Sequence, residues 1–322
     1  MENISALFRR ENARAMPPLL SSDDISFLAR WPFYWLAARA LPEWCWPKLV
    51  EKITSLGRAI APRQPGRVQR RMSQALNLDA IAAQSLHHKS LHHRAEHLLQ
   101  VARMRADPGW APPIHLEGEE HLAAALATGR GAVLWVAHFA YSSLLTKVAL
   151  SRARHPVWHL SRPEHGFSKS RFGIAYLNPI RAGTEDRFLA GRLVLDRARL
   201  GSCLLRARRL LGANALVSMT AGAWEGRGMA RGALLGGQMV LATGAPGLAH
   251  QAGAALLPVF TLRQDNGEYL VCIGASLLPH GVQDRGAAIL GATTAFLALH
   301  EPLLCCHPAQ WGGWKYLEGA DR

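Results

Sequence analysis

The sequence lacks the cysteine patterns that identify disulfide frameworks and common redox or metal sites. None of its five cysteines belongs to a C-x-x-C pair or has a spacing typical of disulfides. We therefore expect a reducing compartment and cysteines that act as small apolar side chains. A Walker lysine, the Rossmann glycine spacing and a His-Glu-x-x-His motif are also missing, so nucleotide binding and a metalloprotease site are poorly supported.

Long apolar segments are missing too. No window offers about 20 uninterrupted apolar residues, so we predict no membrane-spanning helix. Residues 1–18 have no apolar core of the kind found in signal peptides, because Arg9, Arg10 and Arg14 interrupt them.

Acidic residues are scarce relative to basic ones: 23 Asp and Glu face 37 Lys and Arg, a formal net charge of +14. Such an excess favours an anionic partner, which is nucleic acid, an acidic membrane face or a phosphate-bearing substrate. Nucleic acid is the least favoured of the three, because no helix-turn-helix, zinc-finger or RNP pattern is present and the basic residues are scattered over several helices.

The most informative stretch is residues 129–145. Residues 132–137 form an uncharged apolar run, which predicts a strand buried on both faces in the centre of an α/β sheet. His138 follows this strand, at the edge of the sheet where ligands bind in such folds. An imidazole there can exchange a proton near neutral pH. The alternative is a polar residue that ends a strand and hydrogen-bonds a neighbouring loop.

The remaining patterns predict an α/β fold, with a mixed, mostly parallel central sheet flanked by helices. Further strands are expected at residues 114–116, 156–160 and 215–219, with a hairpin (254–263 and 268–278) around Asn266-Gly267. Helices are expected at residues 117–128, 141–150, 184–211 and 286–300. We divide the chain into a flexible N-terminus (1–20), a helical region (21–106) and the α/β domain (107–322).

The helical region is rich in tryptophan. Residues 25–50 combine four tryptophans and three other aromatic residues with Arg30, Arg39 and Lys48, while prolines break the segment into short pieces. Tryptophan and cationic side chains suit the headgroup layer, so we expect a membrane-associating surface. The alternative is a pair of core helices.

Two pairs of histidines, His88/His92 and His93/His97, follow in the same helical region with i,i+4 spacing. Because no metal motif accompanies them, a solvated or groove-facing helix is favoured over a metal site.

Three segments together resemble a known family. They are residues 131–145 with His138-Phe139, residues 242–260, where a small-residue helix leads into a strand, and residues 307–315 with Gln310-Trp311. In order and spacing they are similar to motifs of the lysophospholipid acyltransferase superfamily, closest to the branch that adds late acyl chains to lipid A. The resemblance covers roughly residues 25–317.

The resemblance implies a peripheral protein on the cytoplasmic face of a bacterial inner membrane. It implies transfer of a fatty acyl chain from acyl carrier protein or coenzyme A to a hydroxyl or amine of a lipid-like acceptor. His138 is then the general base, and the acyl thioester donor is a co-substrate, with no metal or other cofactor. The family acid five positions after the histidine is Ser143 here, and a second acidic position is Thr220.

Several residues are candidates for the missing roles. Glu225 and Glu164 are alternative replacement acids. Ser142 and Ser143, at a helix start, are candidates for orienting His138 or binding an oxyanion. Residues in or just after the loops that follow two of the strands are candidates for binding phosphate or substrate: Arg162, Glu164, Arg227 and Arg231. The resemblance also implies one substrate-site arginine, for which Arg171 and Arg181 compete. Because the family acids are missing, the alternative is a catalytically degenerate member that binds acyl lipid.

Overall fold

The computed structural model describes residues 17–60, 66–195, 200–222, 228–278 and 284–319. The helices of this part of the chain are α1 (Ser22–Ala40), α2 (Trp46–Ile60), α3 (Arg67–Leu76), α4 (Ala80–Ala106), α5 (Glu119–Ala127), α6 (Ser142–Arg152), α7 (Asn178–Asp186), α8 (Leu200–Gly212), α9 (Gly244–Ala252) and α10 (Arg285–Cys306). The strands are β1 (Ile114–Glu117), β2 (Ala132–Val136), β3 (Val157–Ser161), β4 (Gly191–Val194), β5 (Leu216–Thr220), β6 (Met229–Leu234), β7 (Gly237–Ala242), β8 (Ala255–Arg263) and β9 (Tyr269–Ile273).

Seven strands form one sheet in the order β1-β9-β8-β2-β5-β3-β4, while β6 and β7 form a separate two-stranded hairpin. Every pairing in the large sheet is parallel except that of β8 with β9. The predicted mixed, mostly parallel α/β sheet is therefore confirmed. Strand β2 lies in its centre between β5 and β8, and all five of its residues are buried.

Alternate side chains of β2 supply the core on each face of the sheet. On one face Trp135 packs against Phe296 of α10, with ring centroids 4.3 Å apart. On the other, Leu134 belongs to a core cluster with Leu122 of α5 and Leu150 of α6. A strand covered by helices on both sides needs apolar residues at every position, which explains the unbroken apolar run.

The predicted hairpin between β8 and β9 is also present. Gly267 adopts a positive φ of +89°, which only glycine reaches without strain, and Gln264 and Glu268 close the turn through their backbones. The second strand ends at Ile273, earlier than predicted.

The predicted helix 184–211 is wrong. Helix α7 ends at Asp186, strand β4 then runs parallel to β3 at the edge of the sheet, and the next described helix, α8, covers Leu200–Gly212. Backbone hydrogen bonds from Ala190 to Val157 and from Leu195 to Ser161 hold this extra strand in place. Tertiary pairing with β3 therefore overrides the helix-favouring composition of the segment. The β6–β7 hairpin was not predicted either.

Helix α1 begins at a reciprocal capping box, which Ser21 and Asp24 form. The helix continues through Pro32, contrary to the expectation that proline breaks it. Pro32 and Leu28, whose carbonyl loses a backbone partner at that point, both lie on the exposed side of the helix. Solvent can satisfy that carbonyl, so the proline is tolerated there.

Most aromatic residues of this region face inward, unlike the membrane-facing set that we predicted. Phe27, Tyr34 and Trp46 are buried, and Trp31 stacks on Phe27 with ring centroids 5.1 Å apart. They belong to the core, as in the alternative of packed core helices. Of the predicted flexible N-terminus, residues 1–16 lie outside the described part.

Among the described residues, one helix is long and apolar enough to cross a membrane by length and composition alone. It is α10, and a third of its most apolar window is buried. The buried side chains, among them Phe296, Leu297 and Leu304, pack into the main core of the protein. A core helix of a folded domain passes the same test.

Candidate functional site

His138 lies directly beyond β2, at the carboxyl edge of the sheet. The sheet hydrogen bonds continue to this point, since Ala137 donates to Val259 and Ala221 donates to Val136. Thr220, the last residue of β5, pairs with Val136 and therefore lies at the same edge. The central position of β2 thus brings His138 to the place that the sequence predicted.

Residues 307–315, the third of the segments that resemble the acyltransferase motifs, hold the loop that begins at His138. Ala140 donates its backbone N–H to Gln310 over 2.8 Å, and Gly312 donates to the carbonyl of His138 over 3.0 Å. The Gln310 amide is fixed in turn, because its oxygen accepts from the backbone N–H of Arg263 and its nitrogen donates to the Arg263 carbonyl, both over 2.8 Å. Residues 310–312 therefore connect the end of β8 to the histidine loop.

Gly312 also lies against the imidazole itself. A Cβ added at this position would stand 2.5 Å from Nε2 of His138, closer than real contacts allow. The absence of a side chain at position 312 is therefore what leaves room for the His138 ring in its present orientation.

The His138 side chain is exposed to solvent, while Gly312 lies against its ring and desolvates part of it. This desolvation, followed by the charges of Arg181, Arg94 and Lys315, lowers the pKa of His138 to about 4. The ring is therefore neutral at neutral pH. Its side chain forms no hydrogen bond with any residue that the structure describes.

Both predicted serines are engaged elsewhere. Ser142 accepts a hydrogen bond from the Phe139 backbone N–H over 3.3 Å. The Ser143 hydroxyl lies 3.3 Å from Nε2 of His97, on helix α4. Ser143, at the position of the family acid, therefore contacts a different histidine from the one it was expected to orient.

Helix α4 packs its polar side chains against the start of α6. Nδ1 of His93 lies 2.8 Å from the hydroxyl of Tyr141, which donates to Glu96 over 2.7 Å. Burial lowers the pKa of His97 to about 3 and that of His93 to about 4. The i,i+4 pair at positions 93 and 97 therefore faces the α/β body as neutral imidazoles.

A buried ionic cluster centred on Glu185 lies beside these residues. The Glu185 carboxylate, fully buried near the end of α7, contacts Lys147 at 2.7 Å, Arg192 at 2.9 Å and Arg181 at 3.1 Å, and His165 at 2.8 Å. Burial alone raises its pKa, but these partners hold the pKa of Glu185 well below its usual range. Burial lowers the pKa of Lys147 to about 8, so Lys147 and Glu185 both stay charged at neutral pH.

The other predicted residues do not meet at His138. Arg162 and Glu164 pair with each other, with Nε and Oε2 3.5 Å apart, and Arg231 on β6 lies 3.7 Å from Glu318. Arg171 donates its backbone N–H to Pro18. Two further candidates, Glu225 and Arg227, lie outside the described residues.

Sequence reasoning missed four residues that shape the site: Glu185, Lys147, Arg94 and Gly312. The Thr-Glu-Asp run containing Glu185 suggested a helix start, and burial of the carboxylate depends on partners far away in sequence. Arg94 had a usable signal, since it lies between His93 and His97 on α4. Gly312 follows the recognised Gln310-Trp311 pair directly.

No protein-family model matches this chain, and no curated protein does. The resemblance to the acyltransferase superfamily therefore remains a prediction from the three motifs.

Proposed function

We propose that the protein transfers a fatty acyl chain from an acyl thioester to a hydroxyl or amine of a lipid-like acceptor. The observation that carries this proposal is the position of His138. It extends from the central strand at the ligand-binding edge of a mostly parallel sheet, solvent-accessible and neutral. The motifs around it are those that resemble the lipid A branch of the acyltransferases.

In the proposed reaction His138 acts as general base. The acceptor hydroxyl loses its proton to a ring nitrogen of His138 while its oxygen attacks the thioester carbonyl. The carbon–sulfur bond then breaks, and the leaving thiolate takes the proton back from the imidazolium. The reaction consumes only the acceptor and the acyl donor, which is a thioester of acyl carrier protein or of coenzyme A.

A pKa near 4 makes His138 a weak base before substrate binds. The cations around it indicate how a bound anionic substrate raises this pKa. Arg94, Arg181 and Lys315 lower the pKa of His138 after the larger effect of burial. A phosphate of the donor or acceptor bound among them offsets their charge and raises the basicity of the imidazole. Arg94 is the best placed of the three, because it forms no ion pair with any described residue.

A peripheral membrane location is part of the proposal. Helix α1 exposes a face with Ile25, Leu28, Phe33 and Leu36, and Trp44 beyond it is 74% exposed. An apolar groove of about 250 Å³ opens between α1 and α2. Four basic residues are exposed in the same segment: Arg30, Arg39, Lys48 and Lys52. This combination suits an anionic bilayer surface.

Vesicle sedimentation tests the membrane part. Phe33→Glu together with Leu36→Glu should weaken binding to anionic vesicles about tenfold or more, because two large apolar side chains no longer enter the bilayer. Ile81→Glu changes an equally exposed apolar residue on α4 and should bind as the wild type does. Equal binding by all three proteins would remove this face from the proposal.

A catalytically degenerate acyl-lipid binder is the second candidate. The observation that favours it is that Ser143 contacts His97 and that no described carboxylate bonds His138. Loss of the orienting acid of a catalytic triad costs about 10⁴-fold in turnover. Such a protein would bind acyl lipid without transferring it.

One experiment separates the two candidates. Labelled acyl carrier protein and acyl coenzyme A are offered with a panel of lysolipids and lipid A precursors to the wild type and to His138→Ala. Transfer that disappears in the variant supports the histidine mechanism, whereas transfer that persists places the chemistry elsewhere. No transfer, combined with tight binding of acyl lipid, favours the degenerate binder.

A further inference from the structure

A second group of metal-ligating side chains lies in the N-terminal helices. Helix α2 contributes Glu51, and helix α4 contributes His88 and His92, one helical turn apart. One ligand atom of each residue lies within 4.8 Å of the other two, and all three are at least partly accessible. The sequence revealed the histidine pair, but the third donor comes from a different helix.

The three side chains lie close enough together to converge on one ion. Nε2 of His92 lies 3.1 Å from Oε2 of Glu51, and the hydroxyl of Thr54 is 2.7 Å from the same nitrogen. Two ligand atoms on a tetrahedral zinc ion are about 3.4 Å apart, given zinc–nitrogen and zinc–oxygen bonds of about 2.1 Å. The His88 and His92 rings are already close, with centroids 4.3 Å apart. A bound zinc ion requires the His92–Glu51 contact to open by about 0.3 Å and the His92–Thr54 contact by more.

A comparable group elsewhere shows what an unsuitable site looks like. His159, His165 and Glu185 are as close together, but Glu185 already contacts Lys147, Arg181 and Arg192. A divalent cation there would be added next to three fixed positive charges in a buried environment. The Glu51 carboxylate has no described contact with lysine or arginine, and its contacts are His92 and the hydroxyl of Ser55.

We propose that Glu51, His88 and His92 form a binding site for a divalent transition-metal ion, with zinc as the expected occupant. Two imidazoles and one carboxylate suit zinc, and the fourth position is left to water or to the Thr54 hydroxyl. The ion joins α2 to α4, so its effect is to stabilise the packing of the N-terminal helices. The site is independent of the acyl-transfer proposal.

Metal titration of the full-length, tag-free, chelator-treated protein tests the site. Cys305 and Cys306, both exposed, are replaced by serine in every protein so that thiolates do not compete. Zinc chloride is titrated calorimetrically, and cobalt(II) is added in parallel because its visible absorption reports tetrahedral coordination. The expected result is one equivalent of zinc and a rise in thermal midpoint on binding.

Three variants decide the outcome. His92→Ala should abolish this equivalent, and Glu51→Gln, an exposed change that keeps the protein folded, should weaken it about tenfold or more. His155→Ala removes a histidine that also pairs with a glutamate, at 3.0 Å from Glu119, and should bind as the parent does. The proposal is overturned if the parent binds no zinc, or if His92→Ala and Glu51→Gln bind it as the parent does.

Discussion

The backbone N–H of Gly312 donates to the carbonyl oxygen of His138 over 3.0 Å, while the Gly312 Cα faces the edge of the His138 ring. The residue therefore fixes the backbone of the candidate base and at the same time leaves space for its side chain. Any larger residue has to push the imidazole aside.

Gly312→Ala should reduce acyl transfer by about 10- to 100-fold, because a displacement of the base of about 1 Å costs a factor of this size. The thermal midpoint should change little, since the imidazole can move into solvent. Gly291→Ala is the matched control, because nothing lies within 4 Å of the added methyl group. Full activity in Gly312→Ala would show that the orientation of His138 is not important.

Arg94→Gln tests the anion-binding role of the cations around His138. The variant should raise the KM for the anionic substrate about tenfold, the value of one charge-assisted hydrogen bond. It should also raise the pKa of His138, measured by NMR titration, because a positive charge near the ring is removed. Arg208→Gln on α8 makes the same change in net charge at an exposed position and should alter neither quantity.

Glu185→Gln should destabilise the protein by about 3 to 5 kcal/mol, because it leaves buried cations without their counter-charge. Urea unfolding measures this loss. Asp186→Asn is the control: its carboxylate is half exposed and, among the described residues, pairs only with Arg192, so the expected loss is below about 1 kcal/mol. Equal losses in the two variants would contradict a central role for Glu185.

Stability should fall as the pH decreases below about 6.5. Burial lowers the pKa of His97 and of His300 to about 3, while an unfolded histidine titrates near 6.5. Between these values the unfolded chain binds protons that the folded protein does not, so acid favours unfolding by about 1.4 kcal/mol per pH unit for each such group.

His300→Phe checks this explanation. His300 is enclosed by the rings of Phe139, Phe260 and Phe296, and neither of its nitrogens has a hydrogen-bond partner among the described residues. Phenylalanine should therefore pack there and reduce the pH dependence of the urea midpoint between pH 7 and 4.5. An unchanged slope would show that His300 does not contribute to acid sensitivity.

Much of the fold could be predicted from local patterns. The apolar run of β2 and the Asn266-Gly267 turn depend on neighbouring residues alone, and both were placed correctly. The edge strand β4 was missed, because the Arg-, Leu- and Ala-rich sequence around its four residues favours a helix, and the strand forms by pairing with β3. The position of His138 could also be predicted, because this residue comes directly after the apolar run of β2.

The sequence by itself determined a mostly parallel α/β sheet with His138 at its carboxyl edge, because hydrophobic periodicity and turn residues act over a few positions. Only the tertiary structure decided which polar groups surround that histidine. Arg94, Arg181 and Lys315 come from three distant segments, and Ser143 contacts His97 across a helix interface. Buried polar groups take their partners from long-range packing, which no local pattern records.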